Sequence, residues 1–220
     1  MTVHLEIADQ IAVLNLGADE NRFSPTFLDD ANAALDRVLD GDAQALVTTA
    51  DGKFYSNGLD LEWLMAHGDQ TASYVDRVHA LFARVLTFPM PTAAAVVGHA
   101  FGAGAMLAMA HDFRVMRADR GFFCLPEADI RIPFTPGMAA LLQAKFTPQT
   151  AVAAMTTGRR FAGPDAVAFG IVDATAAENE ITSAAIELLT VLRGKDRGTL
   201  GAIKNTMFTP AVRALTEPQS

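Results

Sequence analysis

This 220-residue chain has little that suits a metal, a disulfide or a nucleic acid. Cys124 is the single cysteine, which excludes an intrachain disulfide and any multi-thiol zinc site. The five histidines, His4, His67, His79, His99 and His111, contain no His-x-x-x-His pair, so no metal is expected. Basic residues are outnumbered by acidic ones, with a formal net charge of −8, and a broad nucleic-acid surface is not expected. No apolar run reaches the ~18 uninterrupted residues that would indicate a membrane span. Met1-Thr2-Val3-His4 carries no signal-peptide pattern and Glu217-Pro218-Gln219-Ser220 matches no peroxisomal address, so the expected setting is cytoplasmic. Gly-x-Ser-x-Gly is absent, as is Gly-Lys-Ser/Thr. After Gly102-x-Gly104 the third glycine of a dinucleotide loop is replaced by Leu107. An elbow-type serine hydrolase, a P-loop enzyme and a Rossmann enzyme are thereby set aside.

What is present is ordinary globular material, 50% hydrophobic and 19% charged. The length suits one α/β domain, or one with a helical appendage, and it allows roughly 70% of the surface to be buried. Val3, Leu5 and Ile7 alternate with polar residues and Ile11, Val13, Leu14 and Leu16 follow, which predicts a hairpin turning near Asp9-Gln10. Ser24 and Pro25 predict a helix start, and helical spacing from Leu28 to Leu39 carries it to about 40, where Gly41 stops it. Strands are predicted at 45–49, 92–97, 113–116 and 121–124, with a helix around 74–86. The wholly apolar Ala105-Met106-Leu107-Ala108-Met109-Ala110 predicts a central, buried helix. Beyond about 135 the pattern turns helical, near 136–145, 148–156, 178–192 and 199–207, with one short strand at Ile171-Val172. The expected organisation is an α/β core over 1–135 and a helical region over 136–220 within the same domain.

Two glycine-bearing segments each follow a strand. They are Phe54-Tyr55-Ser56-Asn57-Gly58-Leu59-Asp60-Leu61 and Val96-Val97-Gly98-His99-Ala100-Phe101-Gly102-Ala103-Gly104. Read singly, these glycines are turn punctuation. Read together, two facing strand-to-helix junctions would leave backbone N–H donors free to form an oxyanion hole. Glu127 sits among apolar neighbours in Phe122-Phe123-Cys124-Leu125-Pro126-Glu127. It is a candidate proton carrier, or else a solvated residue in a first helical turn, in which case nearby Asp129 could serve. Asp60 suits a helix cap, Asp112 a strand-entry hydrogen bond, and Met106, Met109 and Met116 core filling. His99 either touches a substrate or is structural.

In this order, the two segments, Ala110-His111-Asp112-Phe113-Arg114-Val115-Met116 and Leu125-Pro126-Glu127 resemble the enoyl-CoA hydratase/isomerase (crotonase) superfamily. The likeness runs through nearly the whole chain. It implies a fold of stacked ββα turns with a C-terminal helical trimerisation region. It implies an enoyl-CoA or acyl-CoA thioester as substrate, with CoA part of that substrate and no separate cofactor. It also implies a homotrimer or a dimer of trimers. By this resemblance the hole is made by the N–H groups of Leu59 and Ala103, and Glu127 is the catalytic glutamate. Asn57, Gly58, Asp60, Gly102 and Met106 then lie at the substrate, with the adenine near Asn57 and Leu59. Arg22 either reaches the CoA phosphates or is a solvated arginine, and Lys204 is the nearest match to a late lysine near CoA.

One departure selects the subclass. Hydratases of the family carry a second glutamate four residues after the first glycine of the second loop, and that position is Met106 here. A thioether can neither deprotonate water nor supply a proton. A double-bond shift needs only one base, which takes a proton at C2 and returns it at C4. Glu127-Ala128-Asp129-Ile130-Arg131-Ile132-Pro133-Phe134 also resembles single-glutamate Δ3,Δ2-enoyl-CoA isomerases. The expected activity is that isomerisation, with hydration or thioester hydrolysis as the alternative and a non-catalytic acyl-CoA-binding subunit as a third reading.

Overall fold

The protein is described by a computed structural model that covers residues 3–217, so Met1-Thr2 and Pro218-Gln219-Ser220 lie outside the described residues. The chain opens with β1 (His4–Ala8) and β2 (Ile11–Asn15), paired antiparallel. Their two-residue turn has Asp9 and Gln10 both at positive φ, 49° and 63°, the geometry that matches strand twist in a tight hairpin. α1 (Pro25–Asp40) starts where Ser24 accepts from the Phe27 N–H with Pro25 in the first turn, and it stops at Gly41. Then follow β3 (Ala45–Thr49), β4 (Phe54–Ser56), α2 (Leu61–Ala66) and α3 (Thr71–Leu86). The next turn is β5 (Thr92–Val96), β6 (His99–Phe101) and α4 (Ala103–Ala110), and the next is β7 (Phe113–Arg117), β8 (Phe123–Cys124) and α5 (Glu127–Ile130). The remainder is α6 (Pro136–Lys145), α7 (Pro148–Met155), β9 (Arg160–Phe161), α8 (Gly163–Ala168), β10 (Ala174–Ala176), α9 (Ile181–Thr190), α10 (Arg197–Met207) and α11 (Thr209–Thr216).

The repeated unit is strand, strand, helix. In the units β3–β4, β5–β6 and β7–β8 the first strand enters a six-stranded sheet ordered β1-β2-β3-β5-β7-β10, and the second enters a four-stranded sheet ordered β4-β6-β8-β9. Each turn of the chain therefore advances one rung in both sheets at once. The central strands of the large sheet are parallel and buried on both faces, as parallel sheets require. Ala45, Val47, Ala93, Ala95 and Val115 face Ile181, Ala185 and Leu189 of α9. Leu46, Ala94, Val96 and Met116 face the main core on the other side. β1 forms the edge and stays largely exposed, Ile7 included. All eight residues of α4 are buried, so the apolar helix is central.

Several expectations shift. The predicted strand at Ile171-Val172 lies instead at Ala174–Ala176, where it extends β7 in parallel. Ile171 and Val172 are buried in the turn before it, and both N–H groups bond the Ala166 carbonyl. Burial, not strand pairing, explains their apolar character. The helix predicted from 178 begins as a short 3-10 turn at Glu178–Glu180. α2 is the helix expected after the first glycine segment, capped by Asp60, whereas α8 and α11 were not foreseen. α8 has only six residues, too short for a clear period.

Close packing of the second glycine segment on β4 should be measurable. A Cβ at Gly104 would come 2.3 Å from the Ser56 carbonyl oxygen, whereas one at Gly68 meets nothing within 4 Å. Gly104→Ala is expected to lower unfolding free energy in urea by about 1–3 kcal/mol. Gly68→Ala should stay within about 0.5 kcal/mol of the parent.

Candidate active site

Three neighbouring strands of the small sheet deliver the site. β4 pairs in parallel with β6, matching Phe54 to His99 and Ser56 to Ala100. β6 pairs in parallel with β8, matching Ala100 to Phe123 and Phe101 to Cys124. Chains leaving parallel strands emerge at the same edge. The segment after β4 carries Gly58 and Leu59, the segment after β6 carries Gly102 and Ala103, and the segment after β8 carries Glu127. The first two are in contact. A Cβ on Gly58 would lie 2.9 Å from the Ala103 nitrogen and 2.8 Å from the Phe101 oxygen, and Gly58 has φ +83°. Glycine is the residue that satisfies both demands. Gly102, at φ +51°, donates its N–H to the Cys124 carbonyl, 3.0 Å, and a Cβ there would lie 3.3 Å from Glu127 Oε1. Gly102 is thus the point where the second loop and the glutamate meet.

Among the described residues, neither the Leu59 nor the Ala103 N–H has a protein acceptor. Ala103 is the first residue of α4, whose N-terminus has no side-chain cap. Free N–H groups at that end carry the positive pole of the helix dipole. A carbonyl oxygen acquiring negative charge is the complement to such a place.

Glu127 begins α5, after Pro126 at the cap position. It does stand in a first helical turn, but it is not solvated. It is 8% exposed, and Oε2 is buried with no hydrogen-bond partner among the described residues. Burial pushes its carboxyl up to about 7, with a hydrogen bond from its own backbone pulling the other way. A carboxyl in this condition is poised to take and return a proton near neutrality. Asp129 is exposed, lies against Gly158 and does not line the cavity.

The cavity is about 350 Å³. Its walls include Leu59, Phe101, Gly102, Ala103, Met106, Glu127 and Met138. Met106 is 1% exposed, so a thioether stands where a second carboxylate would make the wall polar. Arg22, Asn57 and Glu62 stand at the rim. Arg22 is not a free cation, since it pairs with Glu20 at 2.5 Å and Glu62 at 2.9 Å. Asn57 Nδ2 donates to the same Glu20 carboxylate at 3.1 Å. Those two bonds hold the Glu20 carboxyl below its ordinary range. The Asp60 carboxylate caps α2 by accepting from the Trp63 N–H and is not on the cavity wall, and Gly58 lies behind the wall.

Lys204 needs a correction. Its ammonium is buried and donates to the Met90 carbonyl at 2.8 Å and to Asp112 at 2.5 Å. It ties α10 to the entry of β7 and does not line the cavity, while Asp112 serves the strand entry as expected by also accepting from Thr92. His99 is structural in its contacts, packed among Phe54, Phe101 and Phe122. Ile130, Ile132, Pro133 and Met138, which also line the cavity, were not foreseen as site residues. The available signal was the exposed apolar pair Ile130 and Ile132 in a short connection.

The buried carboxyl predicts a pH signature separate from any turnover. An unfolded glutamate ionises near 4.5, and the folded group holds its proton up to about 7. The folded state therefore binds more protons between these values, and stability falls as pH rises through that window. Glu127→Gln removes this loss. It should be more stable than the parent at pH 8, by up to about 3 kcal/mol, with the gap closing toward pH 4 in parallel urea titrations.

Comparison with known proteins agrees with this geometry. Residues 6–219 match the sequence profile described as Enoyl-CoA hydratase/isomerase. The chain is 35% identical over 212 residues to peroxisomal enoyl-CoA delta isomerase 1 of Arabidopsis thaliana, covering 93% of this chain and 88% of the relative. It is 33% identical over 175 residues to carnitinyl-CoA dehydratase of Shigella flexneri, covering 79% and 66%. A solved structure of a probable enoyl-CoA hydratase from Mycobacterium tuberculosis H37Rv superposes with TM-score 0.91 at 27% identity, covering 98% of this chain and 92% of that one. With its stacked ββα turns and its site at the edge of the small sheet, the chain belongs to the enoyl-CoA hydratase/isomerase family.

Proposed function

We propose that this protein shifts the double bond of a 3-enoyl-CoA to the trans-2 position, with Glu127 as the sole proton carrier. The observation that carries this reading is a single buried carboxyl lining a largely apolar cavity that has Met106 in place of a second acid. The Arabidopsis relatives named as enoyl-CoA delta isomerases, at 35–36% identity, support it.

The steps follow from the groups present. The thioester oxygen sits at the Leu59 and Ala103 N–H groups. Glu127 removes a proton from C2, and the electron pair passes to the carbonyl oxygen as a dienolate. The two amides stabilise that charge, each worth about 2.7–4 kcal/mol by analogy with other oxyanion donors. Glu127, now neutral, returns the proton at C4, and the pair closes the C2–C3 double bond. The thioether of Met106 and the apolar walls offer no group to activate a water. The CoA moiety leaves past Asn57 and the Arg22–Glu62 pair at the rim. Hydration is the second reading, favoured by the similarity to carnitinyl-CoA dehydratase. It would give a product heavier by one water in mass spectrometry.

Incubation with a 3-enoyl-CoA should produce the ultraviolet absorbance of a conjugated thioester. Glu127→Gln should cut the rate about 10²–10⁴-fold. Because the base must be ionised in the free enzyme, kcat/KM should rise with pH and level off above about 7. No absorbance change with the parent protein, or an undiminished rate in Glu127→Gln, overturns the proposal.

A further inference from the structure

Glu127 borders a second space. An open groove of about 470 Å³ is lined by Glu127, Ala128, Arg131, Pro133, Phe134 and Met155. Glu127, Ile132 and Pro133 belong to both the groove and the cavity. The two spaces therefore adjoin along these three residues. The left-handed turn at Arg131, φ +60°, ends α5 and folds the chain back, so that the Arg131 and Ile132 N–H groups both bond the Glu127 carbonyl. A non-glycine residue adopts this backbone uncommonly. Here it keeps Arg131 beside the groove that begins at Glu127.

Arg131 is exposed, and its guanidinium has no ion pair or hydrogen bond among the described residues. Apart from Glu127 it is the only charged group on the groove, whose other walls are apolar. A ligand matching this surface has a hydrocarbon stretch and then an anionic end.

Resting on the isomerase reading above, we propose that the groove receives the distal part of the acyl chain and that Arg131 selects chains ending in a carboxylate. The order of groups along the substrate follows the order of spaces along the protein. The thioester oxygen lies at the amides, C2 to C4 lie beside Glu127, and the chain beyond C4 continues past Ile132 and Pro133 to Arg131. An arginine is suited to such an end, because its planar fork meets a carboxylate with two parallel N–H bonds. Arg131 is a specificity residue and takes no part in proton transfer.

The test compares 3-enoyl-CoA esters ending in a carboxylate with methyl-ended esters of the same length, in a series of increasing length. In the parent protein the carboxylate-ended ester should gain about fivefold or more in kcat/KM at the length that reaches Arg131, and salt should weaken the gain. Arg131→Gln should abolish that preference and Arg131→Lys should retain part of it. Both should leave kcat/KM for the methyl-ended esters and its pH midpoint unchanged. A parent protein without the preference at any length, or a preference that survives in Arg131→Gln, overturns the proposal. If no ester isomerises, the functional reading has failed, and the subsite is then decided by calorimetric binding of saturated carboxylate-ended and methyl-ended acyl-CoA esters to the same proteins. Equal affinities in that measurement reject it.

Discussion

Parallel pairing of β4, β6 and β8 is the constraint on which the site depends. It is a short sheet, two or three residues per strand, but it sets three chain exits side by side. Two exits bring backbone amides and the third brings a carboxyl. The glycines make the spacing possible, because a side chain at Gly58 would collide with Ala103 and one at Gly104 with Ser56. The large sheet, clamped between α9 and the main core, holds the turns of the spiral in register.

Within that frame the electrostatics divide between the two halves of the site. The amide half is built from backbone and from the N-terminus of a fully buried helix, so its donors are fixed before any ligand arrives. The carboxyl half has the reverse character. Glu127 is desolvated and one oxygen lacks a partner, so its ionised form is penalised. A carboxylate that is desolvated when charged accepts a proton readily, and the penalty is felt as lost stability above the pH where it ionises. Nearby cations do not relieve it. Arg22 is committed to Glu20 and Glu62 at the rim, and Arg131 faces the groove.

Much of the spiral was legible in local pattern. Ser24-Pro25 and Gly41 bounded α1 correctly because capping is decided within a few residues. The apolar run 105–110 announced a buried helix because no face was left for water. Legibility failed where the cause was distant. Ile171 and Val172 are apolar for a place in the core and not for a strand. Lys204 looked like a late cation available to a phosphate, and Asp112, ninety-two residues away in sequence, claims it. Arg22 and Asn57 do stand at the cavity rim, but their pairing with Glu20 was invisible because a charge has no periodicity to reveal its partner.

The ordered glycine segments, the Pro126-Glu127 step and Met106 were written in the sequence alone, and they fixed the family, the stacked architecture and the chemical types at hand. Their encounter was not. Loops forty residues apart touch only because successive strands pair in parallel, and a carboxyl at the head of a one-turn helix is dry only because the second loop and the apolar walls close over it. Proximity and burial are sums over the whole packed chain, so the proton affinity of Glu127 and the groove lined by Arg131 belonged to the tertiary structure.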